Sequence, residues 1–314
     1  MIDVSFKSNS LRYAMAKGTL KTSKKTINLI KSKKVPKGDV LEIARAAGTQ
    51  AAKMTSDWIV FCHPIPLDWI DLRFELKETE IEVIAEVKAI WKTGVEMEAM
   101  TSVSAALINI YDMLKPLDDE IVISEIQLIK KLGGKSQFSD RFDQPFSAAV
   151  LVISDSTFAG EREDKSGEVI KKYLQKQSVN VEVYEVLPDV AEKITNRLKE
   201  LVDVRGIQLI FTTGGTGLGP KDYTPEATRP VLDKEIPGIS ETIRRHGRDR
   251  TPFAMLSREV AGLRKDSMII NLPGSSKGAK ESMDALFPGL LHGFPMMWGG
   301  SHAKDGKWKR KDSI

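Results

Sequence analysis

The sequence predicts two domains of different class, an α+β half followed by an α/β half. Three observations carry this reading. Strands of the N-terminal half alternate apolar and polar residues, as half-buried antiparallel strands do. Those of the C-terminal half are short apolar runs that alternate with helical segments, the rhythm of a mainly parallel sheet covered on both faces. Between them, "GGKSQFSDRFDQPFS" (133–147) has neither period and is rich in Gly, Ser, Asp and Gln, which marks a linker. A length of 314 residues agrees with two domains.

In chain order, 11–21 reads as extended, and "TSKKTINLIKSKK" as a short helix capped by Thr22 or Ser23. Asp39 is placed to cap a second helix in "KGDVLEIARAAGTQAAKMTS". "WIDLRFELKE" turns Ile70, Leu72, Phe74 and Leu76 to one face, and "EIEVIAEVKA" does the same with Ile81, Val83, Ala85 and Val87, so the two read as antiparallel neighbours. A long helix over about 96–115 carries the stripe Met100, Val103, Leu107, Ile110 and Leu114, and "IVISEIQLIKK" returns to strand. In the second half, "AAVLVIS", "VNVEVYEV", "IQLIF" and "SMIINL" are strands, with helices expected over about 164–177, 191–204, 224–234 and 276–287.

Composition narrows the function classes. Apolar residues make up 41% and charged residues 29%, as in ordinary globular proteins. A net charge of +4 is too small to argue for nucleic acid and suits an anionic small substrate. A single cysteine, Cys62, precludes an intrachain disulfide. The opening "MIDVSFKSNSLRYAMAKG" has no apolar signal-peptide core, and no stretch approaches the ~20 apolar residues of a membrane span. The expectation is a cytoplasmic protein with neither nucleic-acid nor membrane partners.

Ligands of open parallel sheets sit at the carboxyl ends of the strands. All four ends in the second half are rich in Gly, Pro, Ser or Asp: "SDSTFAGEREDKSG", "LPD", "TTGGTGLGPKD" and "NLPGSSKGAKE". Glycine frees backbone N–H groups to approach a phosphate, although the same loops could be tight turns and nothing more. Asp189 and Asp222 each follow a strand at this rim. Two carboxylates beside a phosphate cradle suit Mg²⁺-dependent phosphoryl or nucleotidyl transfer; each could equally cap a helix.

"VISDS", "LPD", "TTGGTG", "KDYTPEAT", "IPGISE", "LSREVAGLR" and "NLPGSSKGAKE" resemble the molybdopterin adenylyltransferase family over 147–304. The resemblance implies a three-layer α/β sandwich that often trimerises and transfers AMP from Mg-ATP to molybdopterin. Asp189 and Asp222 would be its essential, Mg²⁺-side carboxylates. Gly214, Gly215, Thr216 and Gly217 would form its glycine loop, and Ser154, Asp155, Pro273, Gly274, Ser275 and Lys277 its ligand pocket. Lys221 departs from the family's frequent Arg, which keeps the charge and loses bidentate geometry. Two competing readings of this half are a non-catalytic pterin-binding or oligomerising module, and a nucleotide-cleaving enzyme of the competence-damage type.

In the first half, Cys62 and His63 adjoin in "IVFCHPIPLDW", but with one cysteine and no second nearby histidine a zinc site is not indicated. Asp112 and Lys115, at i and i+3, share a helix face, as a surface ion pair or as a functional pair. "DVS", "KGDVLEIARAAGTQAAKMTS", "CHPIPL", "TGVEMEAM", "SVSAALINIYDMLK" and "GGKS" resemble cyclic pyranopterin monophosphate synthase over 1–136. That family implies a ferredoxin-like α+β fold, hexameric assembly with sites between subunits, and no cofactor. It converts 3',8-cyclo-7,8-dihydro-GTP to cyclic pyranopterin monophosphate with release of pyrophosphate. Its catalytic Asp and Lys would be Asp112 and Lys115, with Lys37 and His63 beside them; Arg12, Lys53, Cys62, Glu96, Met97 and Glu98 would complete the substrate site. Leu114 stands where the family often has Cys. Together the resemblances divide the chain into 1–136, a linker 137–146, 147–304 and a basic tail 305–314. They imply a bifunctional enzyme of molybdenum cofactor biosynthesis, a homo-oligomer whose trimer or hexamer shares a three-fold axis.

Overall fold

The computed structural model describes residues 1–177, 179–299 and 307–308. Backbone contacts divide it into two compact units, Met1–Gln137 and Phe138–Ile314.

The first unit runs β1 (Ser10–Lys21), α1 (Lys24–Lys31), α2 (Val40–Lys53), α3 (Thr55–Trp58), β2 (Trp69–Leu76), β3 (Glu80–Trp91), α4 (Glu96–Leu114) and β4 (Val122–Leu132). Its four strands form one antiparallel sheet in the order β2-β3-β1-β4. Ile81, Val83, Ala85 and Val87 of β3 are fully buried, whereas on the edge strand β2 only Leu72 is. Of the two candidate caps for α1, Ser23 is the one used: its Oγ accepts the Thr26 N–H at 3.2 Å. Thr22 instead donates to Asp118 at 2.7 Å, tying the start of α1 to the turn before β4. Asp39 caps α2 by accepting the Glu42 N–H at 3.3 Å.

Helix α4 lays Val103 and Leu107 onto β1 at Gly18, where a Cβ would meet both. Val103, Leu107, Ile110 and Leu114 are fully buried; each such side chain contributes ~1.5–3 kcal/mol. Helix α2 crosses behind. Its Gly48 lies against the Ser102 carbonyl and Ala106 of α4, an approach that leaves no room for a side chain.

The second unit begins in the expected linker, which contains a short strand, β5 (Arg141–Phe142). There follow β6 (Phe146–Ile153), α5 (Asp155–Phe158), α6 (Ser166–Leu174), β7 (Val179–Leu187), α7 (Ala191–Asp203), β8 (Leu209–Thr213), α8 (Thr224–Thr228), β9 (Lys234–Glu235), α9 (Pro237–Arg248), β10 (Ala261–Arg264), β11 (Ser267–Leu272), α10 (Ser276–Leu286), α11 (Gly293–Met297) and β12 (Lys307–Trp308), which pairs with β5. The rest of the basic tail expected over 305–314 lies outside the described residues. The main sheet has the order β7-β6-β8-β11-β10-β9. Its first four strands are parallel, and the β9 and β10 edge is antiparallel. Side chains of α6, α9 and α10 fill one face and those of α7 and α8 the other.

The helix expected over 224–234 is a correction. It is α-helical only to Thr228 and continues as a 3₁₀ turn, Arg229–Val231. Pro230 disfavours α geometry at the residue before it and has no N–H to extend the ladder.

Candidate functional site

Parallel neighbours that end together bring their following loops together. Ile153 of β6 pairs with Leu187 of β7, so Asp155 and Asp189 emerge side by side. They exchange contacts: the Asp155 N–H donates to Asp189 Oδ2 at 2.9 Å, and the Asp189 N–H to Asp155 Oδ1 at 3.0 Å. Ser154 caps the single turn α5. Lys221 Nζ donates to Asp155 Oδ2 at 2.9 Å, which lowers the Asp155 pKa and raises that of Lys221. Asp189 is pushed up, first by burial and then by the charges of Asp155 and Asp222. Neither Asp189 nor Asp222 caps a helix, because α7 and α8 start at Val190 and Tyr223 without a side-chain cap.

The glycine loop leaves β8 in left-handed backbone, with φ of 105° at Gly214 and 62° at Gly215. A Cβ on Gly215 would run into Thr224 and approach Asp189. Gly274 packs on Gly214, and Thr213 donates to the Pro273 carbonyl at 2.8 Å, so "TTGGTG" and "PGSS" form one continuous rim. Among the described residues, the backbone N–H groups of Gly215, Thr216 and Gly217 are donated to no protein acceptor. Successive N–H groups of this kind make an anion-binding concavity. Ser275 caps α10, while Lys277 is exposed and its contact is Glu281 at 4.0 Å. Beneath the rim, Asn271 donates to Thr212 and Thr228 at 2.9 and 3.0 Å, a buried network that anchors α8 to the sheet.

Arg258, in the "LSREVAGLR" stretch, has no role assigned from the sequence. It holds the loop shut: its guanidinium donates to the Gly217 and Asp222 carbonyls, each at 2.6 Å, and pairs with Glu226. Its own N–H donates to the Thr216 carbonyl at 2.9 Å. Asp222 Oδ2 accepts the Gly219 N–H at 2.6 Å. Arg258 is thus a positioning residue for Asp222. No local pattern in the sequence points to this role.

No three of His, Cys, Asp and Glu gather into a metal cage among the described residues. Mg²⁺ needs no such cage: it is held by one or two carboxylates and completes its shell with water and phosphate oxygens. Asp189 and Asp222 repel one another without a cation between them, so the donor set fits the ion.

In the first unit, the expected residues fall into two groups at opposite ends of α4. At its C-terminal end Asp112 takes Lys115 at 2.8 Å and Lys37 at 2.8 Å. Lys37 also donates to the Asp112 carbonyl at 2.8 Å. The two ammonium groups, Lys115 first, lower the Asp112 carboxyl to about 2, and Lys115 itself is raised. At the other end Glu96, Met97 and Glu98 begin the helix. Arg12 sits beside them, donating to the Trp91 and Lys92 carbonyls at 3.1 and 2.9 Å. Cys62, raised by burial and then by the charge of Glu98, is at this end too. The neighbouring His63 contacts the Ile2 carbonyl at 3.0 Å. Because Lys37 precedes α2 and Gly48 lies on Ser102 and Ala106, α2 runs antiparallel to α4 and carries Lys53 to the Glu98 end. At 1.5 Å per residue, Glu96 and Asp112 are about 24 Å apart along α4. One chain therefore does not gather these residues into one site.

Glu98 is 3% exposed and its Oε2 has no hydrogen-bond partner. Burial, and then the charge of Glu96, lifts its carboxyl from 4.5 to about 7. Below 4.5 the group is protonated in both folded and unfolded chains; as pH rises towards 7 the unfolded chain ionises first. Stability is expected to fall across that window by ~3 kcal/mol and then level off. Glu98→Gln removes the fall. An unfolding free energy that declines as steeply in the variant as in the wild type contradicts this assignment.

Residues 1–134 match the MoaC family, and residues 149–292 match a family described as a probable molybdopterin binding domain. Such a pairing defines a two-part protein of pterin cofactor biosynthesis. The whole chain is 41% identical to the molybdenum cofactor biosynthesis bifunctional protein of Chlorobaculum tepidum, over 96% of this chain and 96% of that one. The first half is 51% identical to the cyclic pyranopterin monophosphate synthase of Clostridium perfringens, covering 43% of this chain and 87% of that one. The second half is similar to the crystal structure of the molybdopterin biosynthesis enzyme MoaB from Thermus thermophilus, at 45% identity, 49% of this chain, 97% of that one and a TM-score of 0.47. The chain belongs to the family of molybdenum cofactor biosynthesis bifunctional proteins. Among the described residues, no helix is long and apolar enough to cross a membrane.

Proposed function

We propose that the two halves catalyse two separate steps of molybdenum cofactor biosynthesis. The first half converts 3',8-cyclo-7,8-dihydro-GTP to cyclic pyranopterin monophosphate: a substrate hydroxyl attacks the α-phosphorus, a cyclic phosphodiester forms and pyrophosphate leaves. Asp112 keeps Lys115 protonated, which suits Lys115 as the proton donor. Arg12, Lys53 and His63 hold the triphosphate and Glu96, Met97 and Glu98 contact the base, within a site completed by a second copy of the chain. The sheet order, with helices in the β1–β2 and β3–β4 connections, supports a ferredoxin-like reading of this half.

The second half transfers AMP from Mg-ATP to molybdopterin. The terminal phosphate oxygen of molybdopterin attacks the α-phosphorus of ATP, a P–O bond forms and pyrophosphate leaves. The observation that carries this reading is the rim where the free N–H groups of Gly215, Thr216 and Gly217 adjoin Asp155, Asp189 and Asp222. The amides bind phosphate, Lys221 meets its charge, and Asp189 and Asp222 hold Mg²⁺. That ion, when bound, supplies charge neutralisation at the phosphate oxygens. Retention of both carboxylates disfavours a purely scaffolding role. Full-length protein given Mg-ATP and molybdopterin is expected to form adenylylated molybdopterin and pyrophosphate; no product sinks the transferase reading. The two steps are not consecutive, because sulfur insertion separates them, so fusion carries no implication of direct channelling.

A further inference from the structure

Strand β4 runs out into "LGGKS" (132–136) near the Glu96 end of α4. Gly133 and Gly134 both take left-handed backbone, with φ of 101° and 93°. Both pack on β1. A Cβ on Gly133 would run into the Leu11 carbonyl, and one on Gly134 into Nη1 of Arg12. Arg12 is part-buried, and its guanidinium is fixed along one edge: Nε donates to the Trp91 carbonyl at 3.1 Å and Nη2 to the Lys92 carbonyl at 2.9 Å. Among the described residues, Nη1 donates to no protein acceptor. What remains is the end-on fork of Nη1 and the second Nη2 hydrogen, the pair that grips a phosphate with two parallel bonds. The charge of Glu96 acts on Arg12, yet the ion-pair partner of Glu96 is Lys131, whose Nζ stands 3.4 Å from Oε1. Lys131 faces Ala14 across the β1–β4 ladder, two residues from Arg12, so both cations leave the same face of the sheet.

We propose that Gly134 and Lys131 are positioning residues for the triphosphate of the first half's substrate, acting through Arg12. This rests on the reading of that half as the pyranopterin-forming enzyme. Gly134 leaves the space that Nη1 occupies. A side chain there displaces the guanidinium and turns its open fork away from the anion. Lys131 keeps Glu96 to itself. Without that ammonium the carboxylate is free to swing onto the same fork, which an incoming phosphate needs. One residue sets where the fork points, and the other keeps it unclaimed.

The test measures pyranopterin formation by the full-length chain from 3',8-cyclo-7,8-dihydro-GTP, with pyrophosphate as product inhibitor. Pyrophosphate competes for the same fork, and inhibition of this reaction reads the first half alone. Gly134→Ala is expected to raise KM and the pyrophosphate Ki together by about 10–100-fold, the loss of a bidentate charge-assisted contact, with kcat within about threefold of wild type. Lys131→Gln is expected to raise both by about 2–5-fold, and Lys131→Arg to restore them. The Lys131 side chain is 66% exposed, so Lys131→Gln carries the test alone if alanine in the left-handed backbone of Gly134 prevents folding. A fall in kcat with KM and Ki unmoved reduces the two residues to structural parts and overturns the proposal. So does a Lys131→Gln effect that Lys131→Arg fails to restore. Wild-type turnover with Ki unmoved in the folded variants sinks the proposal alone. A wild-type chain that forms no pyranopterin sinks the reading of the first half, and the proposal with it.

Discussion

A mixture of Lys115→Ala and Lys53→Ala chains, co-expressed or refolded together, recovers pyranopterin formation that neither variant shows alone. Each single variant is expected to lose ~10²–10⁴-fold in rate, the range for loss of a proton-transfer group or its positioned partner. The recovery follows from the geometry of α4. Asp112, Lys115 and Lys37 form one ion-paired cluster at its end. Arg12, Lys53, Cys62 and Glu98 lie at its beginning, about 24 Å away. No side chain bridges that span, so a site using both groups takes one from each of two copies. In a random mixture, about a quarter of such shared sites combine an intact Lys115 with an intact Lys53. Activity near that fraction is the expected result. Mixed assemblies no more active than the two variants measured apart place both groups in separate sites, or leave one of them without a role. Lys53 is the better partner for this test than Arg12, because Arg12 also holds the Trp91 and Lys92 carbonyls and its loss disturbs the sheet.

Much of this arrangement is open to reading in the sequence. Strict alternation marks β2 and β3, and the apolar stripe of α4 points at the residues that pack on β1. The two-ended placement of the site residues is implicit as well, since Glu96 and Asp112 both fall on one long helix of known rise. What escapes does so for local reasons. Helix α9 reads "PGISETIRRHGR", with a proline and two glycines and with Ile243 as its one large buried apolar side chain, so few apolar residues mark its inner face. Strand β10 is four residues long and includes a glycine. Strand β10 nevertheless shapes the second site, through the preceding segment that carries Arg258. The contacts of Arg258 with the loop at Gly217 and Asp222 join residues about 40 positions apart, which no local pattern reports.

Asp222→Asn should leave the second half folded and remove AMP transfer by ~10²–10³-fold, the loss expected when several kcal/mol of charge stabilisation disappear. The substitution is nearly isosteric, and its side-chain oxygen can still accept the Gly219 N–H that Asp222 Oδ2 accepts at 2.6 Å. The loop is held besides by Arg258, which grips the backbone carbonyls of Gly217 and Asp222 whatever the side chain is. Shape is therefore kept while charge is lost, which is the purpose of choosing Asn over Ala. Asp189→Asn is a harsher change, because Asp189 Oδ2 accepts the Asp155 N–H at 2.9 Å and an amide there is free to present its NH₂ to that donor. The two variants are distinguished by raising Mg²⁺. If Asp222 contributes chiefly to holding the ion, high Mg²⁺ recovers part of the rate in Asp222→Asn. If Asp189 also orders the rim, the same addition recovers less in Asp189→Asn. The Asp222 assignment fails if Asp222→Asn transfers AMP at the wild-type rate at limiting Mg²⁺. A variant inert at every Mg²⁺ concentration, yet with unchanged ATP affinity, moves Asp222 from holding the ion to acting on the reacting phosphate.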